Sequence, residues 1–264
     1  MMTANKSVMG KNVVPKRDPI ETDRVQLMMT CLCDAFYDDA ARASVECLEE
    51  AGCRVLCPPE QTCCGQAAYT SGDWETFRHV VRHVTAVFAD PAPIVVPSGS
   101  CAAAMFHEAP IAFEGDPDLP RVQRLANRTW ELADFLVNGL GIRSWRGRLD
   151  ARIAVHDACH TRGTPTGPAM RTLLDGIDGL ERVEFPDEDV CCGFGGVFSV
   201  SHPHISSRMG RRKVANVLSA TPDLVVSADM SCLMHQRGIA EREGCAYPVR
   251  HLSQVLRDSM VTGS

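Results

Sequence analysis

The chain predicts an α/β protein of two pseudo-symmetric repeats, each a small parallel sheet flanked by helices, with cysteine-bearing loops in the cleft between them. Three observations carry this. Cys63-Cys64-Gly65 recurs as Cys191-Cys192-Gly193 at an interval of 128 residues, and the lone Cys31 and Cys159 precede the two pairs at that same interval. A further cysteine, Cys101 or Cys232, follows each pair, and short apolar runs alternate with amphipathic stretches throughout. A repeat of this length points to a duplicated fold unit, and strand–helix alternation points to parallel sheets. The agreement extends beyond cysteine: Arg24 to Thr30 matches Arg152 to Ala158, and Arg54-Val55 before Pro58 matches Arg182-Val183 before Pro186.

The elements follow in order. Residues 1–23 are polar and read as a disordered tail. The first repeat, 24–138, opens with a strand over Val25 to Met29, then a helix over Asp38 to Glu50 that turns Val45 and Leu48 inward. Arg54 to Cys57 is a second strand. Trp74, Phe77, Val80, Val81, Val84 and Phe88 recur at helical spacing, which predicts a helix over Asp73 to Phe88 with those residues inward. Pro93 to Val96 is a third strand, Ala109 to Pro120 a proline-rich loop, and Val122 to Val137 a helix. Residues 139–150 form the linker. The second repeat, 151–264, runs through strand Arg152 to His156, a short helix Ala169 to Leu174, strand Arg182 to Phe185, helix Ser207 to Leu218, strand Leu224 to Ser227, helix Leu233 to Glu243 and a closing helix Leu252 to Met260.

Composition narrows the function. A net charge of −6 without a basic patch argues against nucleic acid or an anionic membrane as the main partner, and no apolar run is long enough to insert directly into a bilayer. The polar start lacks the apolar core of a secretion signal, so the expected compartment is the cytoplasm. Thirteen cysteines in a reducing compartment point to metal or redox chemistry rather than to disulfides.

Four of the eight repeated cysteines, Cys31, Cys101, Cys159 and Cys232, fall at or just past the carboxyl ends of predicted strands, where open parallel sheets hold their ligands. Gly65 and Gly193 allow the sharp turn that two adjacent thiols need to face one centre. The expected ligands are Cys31, Cys63, Cys64 and Cys101 at one centre, and Cys159, Cys191, Cys192 and Cys232 at the other. Cys33 and Cys57 are further candidates to complete the first. Structural zinc usually takes closely spaced pairs, whereas these ligands are dispersed over about 70 residues, a spread that suits iron–sulfur clusters better. His156 and His160 flank Cys159, and His160 and Asp229 join Gly65 and Gly193 as residues expected around the cluster edge. Gly193-Phe194-Gly195-Gly196 lacks the order of a dinucleotide site. The one compact basic run, Arg208, Arg211, Arg212 and Lys213, reads as a solvated helix face with docking onto an acidic partner as the alternative.

This spacing resembles the CCG or cysteine-rich domain family, which includes the cysteine-rich component of heterodisulfide reductase and the iron–sulfur subunits of glycolate oxidase and anaerobic glycerol-3-phosphate dehydrogenase. The stretches Thr30-Cys31-Leu32, Gln61 to Gln66, Pro97 to Cys101, His156 to His160, Cys191 to Gly196 and Ala228 to Cys232 are similar to the lactate-utilisation protein A branch, over residues 24–255. The resemblance implies an iron–sulfur electron-transfer subunit of a cytoplasmic oxidoreductase complex that oxidises L-lactate, or a similar 2-hydroxy acid, to the 2-oxo acid. Its implied partners are iron–sulfur and accessory subunits resembling lactate-utilisation proteins B and C, and its implied cofactors are one or two iron–sulfur clusters of the 4Fe-4S type, with zinc as the alternative occupant. The fuller family pattern closes each motif with a fifth thiol, and here Ser98 and Asp229 stand in those places. A thiol–disulfide reductase of the heterodisulfide-reductase type and a zinc-stabilised scaffold are the alternative functions.

Overall fold

The computed structural model describes residues 17–262. Arg24–Leu27 (β1), Arg54–Leu56 (β2), Ile94–Val96 (β3) and Thr129–Glu131 (β4) form one all-parallel sheet in the order β2-β1-β3-β4. Arg148–Val155 (β5), Asp178–Val183 (β6), Leu224–Ser227 (β7) and Val249–His251 (β8) repeat that order as β6-β5-β7-β8. The expected duplication and parallel sheets are therefore present. Of the inner strands, β1 and β5 lead toward Cys31 and Cys159, and β3 and β7 toward Cys101 and Cys232.

Several elements differ from the sequence reading, among them the short helices Cys31–Phe36, Gln66–Ser71, Gly99–Ala103 and Val197–Ser201, which are not among the expected elements, and β6, expected over Arg182 to Phe185. The expected helix over Val122 to Val137 is cut by β4: a helix spans Leu119–Arg128, and after the strand the chain turns helical again at Leu132. Part of the expected loop over Ala109 to Pro120 is the helix Ala109–Ala112. Strand β8, between the last two helices, has no counterpart among the expected elements. Both missed strands are three residues long, too short to show a two-residue period beside helical neighbours.

The helix Trp74–Val87 starts where Asp73 Oδ1 accepts the Thr76 N–H at 3.1 Å, and it buries Phe77, Val81 and Val84. Trp74, expected inward, instead lies partly exposed and stacked on Tyr69, with ring centroids 5.7 Å apart. Residues 1–16 of the expected tail lie outside the described residues. Beyond them the chain is tied down: the Arg17 guanidinium sits 3.8 Å from the Trp130 ring centroid and donates to Thr129 O at 2.6 Å.

One hydrophobic cluster runs through both halves, joining Val25, Leu27, Trp130 and Phe135 to Ile153, Val155, Met170 and Leu256. Each half sends its closing helical segment to the other. Leu252–Thr262 packs on Asp38–Glu50 of the first repeat, where Arg257 Nη1 reaches Asp39 Oδ1 at 2.5 Å and Ser253 Oγ donates to Ala40 O at 3.0 Å. Reciprocally, Leu132–Asp134 packs on Thr166–Leu174 of the second. The linker is part of this core, since Trp145 is buried and its indole N–H donates to Leu256 O at 3.1 Å. Each fully buried aromatic such as Phe135 contributes roughly 2 kcal/mol of transfer free energy, so the exchange gives the halves a strong reason to stay together.

Candidate metal centre

The eight repeated cysteines meet at the carboxyl ends of the two sheets. Past β1, Thr30 caps the helix Cys31–Phe36, its Oγ1 accepting the Cys33 N–H at 3.4 Å, and this puts Cys31 at the helix start. Past β3, Ser98 does the same for Gly99–Ala103, accepting the Cys101 N–H at 3.3 Å. In the second half Cys159 opens a short 3-10 turn after β5, and Asp229 caps Met230–Arg242, placing Cys232 in the first turn of a 13-residue helix. There the positive end of the helix dipole favours a thiolate.

The cysteine pairs turn on glycine. Gly65 and Gly193 have φ of +80° and +91°, and a Cβ on Gly193 would stand 2.7 Å from Ser206 O. With that turn made, the glycine N–H folds back onto the first thiol of the pair: Gly65 N donates to Cys63 Sγ and Gly193 N to Cys191 Sγ, both at 3.4 Å. Phe194 N adds a third such bond to Cys192 Sγ at 3.5 Å.

Within each half the sulfurs form a row. Cys31 lies against Cys63, Cys63 against Cys64, and Cys64 against Cys101; Cys159, Cys191, Cys192 and Cys232 repeat the sequence, the last pair at 3.0 Å. Cys63 and Cys191 are held below the usual thiol range because flanking thiols and backbone N–H groups donate to them. Cys31 and Cys159 are pushed up by the same contacts from the other side and by burial. Each row is thus built to share protons and to carry thiolate charge, the state in which cysteine binds soft metals.

All eight cysteines line one cavity of about 220 Å3 between the halves. Among the described residues lining it there is no Arg or Lys. The halves touch around it: Gly99 N donates to Ala228 O at 3.1 Å and Ser100 N to Asp229 Oδ2 at 2.8 Å. His160 stands beside Cys159, with Sγ to Nδ1 at 3.5 Å, and reaches across to Gln66 Nε2 at 3.1 Å and Glu108 Oε1 at 3.7 Å. Burial raises the Glu108 carboxyl to about 7.

A family model described as the cysteine-rich domain, CCG, matches residues 25–106 and 153–237, the two repeats. The chain belongs to the CCG family. Within it, the chain is 40% identical over 235 residues to lactate utilization protein A of Halalkalibacterium halodurans, covering 88% of this chain and 96% of that one. It is 41% identical to the protein of the same name from Geobacillus kaustophilus, covering 88% and 98%. Among solved structures, a hypothetical protein from Helicobacter pylori shares the fold with a TM-score of 0.65 at 10% identity. That alignment covers 93% of this chain and 50% of the other.

Against the CCG thiol pattern, Ser98 and Asp229 are structural residues of the seam, with Asp229 Oδ1 also accepting from Ser231 N at 3.1 Å and Ser231 Oγ at 2.5 Å. Neither Cys33 nor Cys57 lines the cavity: Cys33 is buried in an apolar cluster with Ala40, Ala41 and Phe185, which lifts its thiol to about 11, and Cys57 is exposed. The basic run is largely engaged, since Arg211 pairs with Glu243 at 2.9 Å, Arg212 with Asp187 at 2.6 Å, and Lys213 is buried with Nζ on Asp187 O at 2.5 Å. Two residues gain a place that sequence reasoning gave them only loosely or not at all: Glu108, and His156, which is buried against Cys192 and Cys232. The donor set of clustered thiols and a buried imidazole fits a soft metal.

Proposed function

We propose that this protein is an iron–sulfur electron-transfer subunit of a cytoplasmic complex that oxidises L-lactate, or a similar 2-hydroxy acid, to the 2-oxo acid. The observation that carries the reading is the pair of four-thiol rows converging on one cavity whose described lining residues include no Arg or Lys. A cavity that holds thiolates but offers no Arg or Lys for a carboxylate suits storing electrons better than binding the hydroxy acid, so the acid is expected on a partner subunit. The lactate part of the reading is supported by the names of relatives, since proteins called lactate utilization protein A match 88% of the chain.

Cys31, Cys63, Cys64 and Cys101 would hold one cluster, and Cys159, Cys191, Cys192 and Cys232 the other. Iron–sulfur clusters, when bound, take up and release single electrons at potentials set by ligands, hydrogen bonds and burial. The chain supplies the rest: N–H groups of Gly65, Gly193 and Phe194 stabilise sulfur charge, and the apolar walls limit water. Among the described residues no helix is long and apolar enough to cross a membrane. The partners, on this reading, are iron–sulfur and accessory subunits like lactate utilization proteins B and C.

Anaerobic purification with iron and acid-labile sulfide counting tests the cofactor. The expected result is iron with matching sulfide and visible absorption, bleached by lactate only when the partner subunits are present. Zinc without sulfide would favour the scaffold reading, and bleaching by thiols or disulfides but not lactate would favour disulfide reduction.

A further inference from the structure

The two thiol rows are copies, but their surroundings are not. His156 is fully buried at the carboxyl end of β5, and apart from the neighbouring Cys232 thiol its ring nitrogens have no hydrogen-bond partner. Buried polar side chains in folded proteins nearly always find partners, so an imidazole whose one neighbour is a thiol of the cysteine row calls for a ligand. A ring nitrogen of His156 and the sulfurs of Cys192 and Cys232 lie within 4.8 Å of one another, a spacing that modest movement closes around one metal atom bonded at about 2.0–2.3 Å. The backbone fixes the residue there, with His156 N donating to Val226 O at 2.8 Å and Ser227 Oγ donating to His156 O at 2.9 Å. Asp229 is not a competing donor, because both its oxygens are taken by Ser98, Ser100 and Ser231. At the 128-residue interval the first repeat carries Met28, buried among apolar residues, in place of the imidazole.

We propose that His156 is a direct nitrogen ligand of the second centre, making that centre a mixed imidazole–thiolate site beside an all-thiolate first centre. The proposal rests on the metal-cluster reading above and extends it: the second centre carries a neutral imidazole in addition to its four thiolates, so the two centres differ in ligand set and therefore in potential.

The full-length protein, grown with 15N-histidine and reduced until one centre is paramagnetic, provides the test by pulsed electron paramagnetic resonance. A directly bonded histidine nitrogen, present in wild type and lost in His156→Met, is the expected result. His156→Met copies the first repeat and keeps most of the buried volume. His156→Cys should lower the potential of one centre and leave the other in place. Histidine coupling no stronger than that of backbone amides in the wild-type protein would overturn the proposal without relying on any variant. Absence of iron and sulfide would overturn the cluster reading separately, and Co2+ loaded into the same labelled protein would then report on the His156 bond by the same coupling.

Discussion

Ser98 Oγ and Asp229 Oδ2 stand 3.3 Å apart, and the two residues hold equivalent places, three positions before Cys101 and before Cys232. The contact therefore sits on the pseudo-twofold axis, where the helix caps of the two repeats meet. Asp229 gives one oxygen to its own helix through Ser231 and the other to Ser98 and Ser100 of the opposite helix. A single buried carboxylate ties both thiol-bearing turns to each other. Replacing Asp229 by Ala should remove a helix cap and leave two buried donors unpaired, costing roughly 2–4 kcal/mol. A chemical denaturation midpoint on the apoprotein would measure this, and an unchanged midpoint would show that the seam does not depend on the carboxylate.

Each sulfur row should fail independently of the fold. Cys63→Ser or Cys191→Ser removes the thiol that receives the most hydrogen bonds in its row while leaving the shared apolar core untouched. The expected outcome is loss of about half the bound metal with little change in circular dichroism. Global unfolding of the variant would instead mean that the metal's binding free energy is part of the folding free energy.

The eight cysteines, their grouping and the alternation of strands and helices were legible because they repeat in the sequence, and a repeat reports on fold without any knowledge of contacts. Strands β4 and β8 were not, since Thr129-Trp130-Glu131 continues the apolar pattern of its helical neighbours. The exchange of closing helices was equally hidden: which half Leu256 packs against depends on how the repeats are joined in space. His156 looked like one of two histidines flanking Cys159. Its burial against Cys192 and Cys232 follows from strand direction and depth, which spacing does not encode.

Glu131, at the end of β4, gives the fold a pH dependence of unusual sign. Burial raises its carboxyl to about 8, even though Oε2 accepts N–H bonds from Ala133 at 2.8 Å and Asp134 at 3.2 Å. Its folded pKa exceeds the unfolded one, so its contribution is most favourable below about pH 4.5 and is lost progressively as pH rises to about 8. Glu131→Gln keeps an acceptor and cannot ionise. The variant should match wild type at pH 4 and become more stable by roughly 4 kcal/mol at pH 8, the size the linkage relation gives for such a shift. A stability difference independent of pH would show that Glu131 is charged in the fold.

Gly99 offers the sharpest check on how closely the halves meet. A Cβ placed on it would fall 2.2 Å from Thr161 Cγ2, a methyl of the opposite repeat just beyond Cys159. Real contacts between such carbons are about 3.5–4.0 Å, so Gly99→Ala must push the two turns apart. The expected cost is about 1–3 kcal/mol, the usual range for overpacking. Because Cys101 and Cys159 ride on these same turns, metal affinity should fall with stability. Thr161→Ser removes the obstructing methyl and keeps the hydroxyl, whose bond to Ala158 O at 2.8 Å holds the turn. Adding Thr161→Ser to Gly99→Ala should therefore recover most of the loss, although Thr161→Ser alone costs a little through the missing methyl. A double-mutant cycle by thermal unfolding isolates the coupling, which should reach at least about 1 kcal/mol for residues in contact. Simple additivity would mean that the repeats sit farther apart around the thiol cavity than Gly99 and Thr161 indicate.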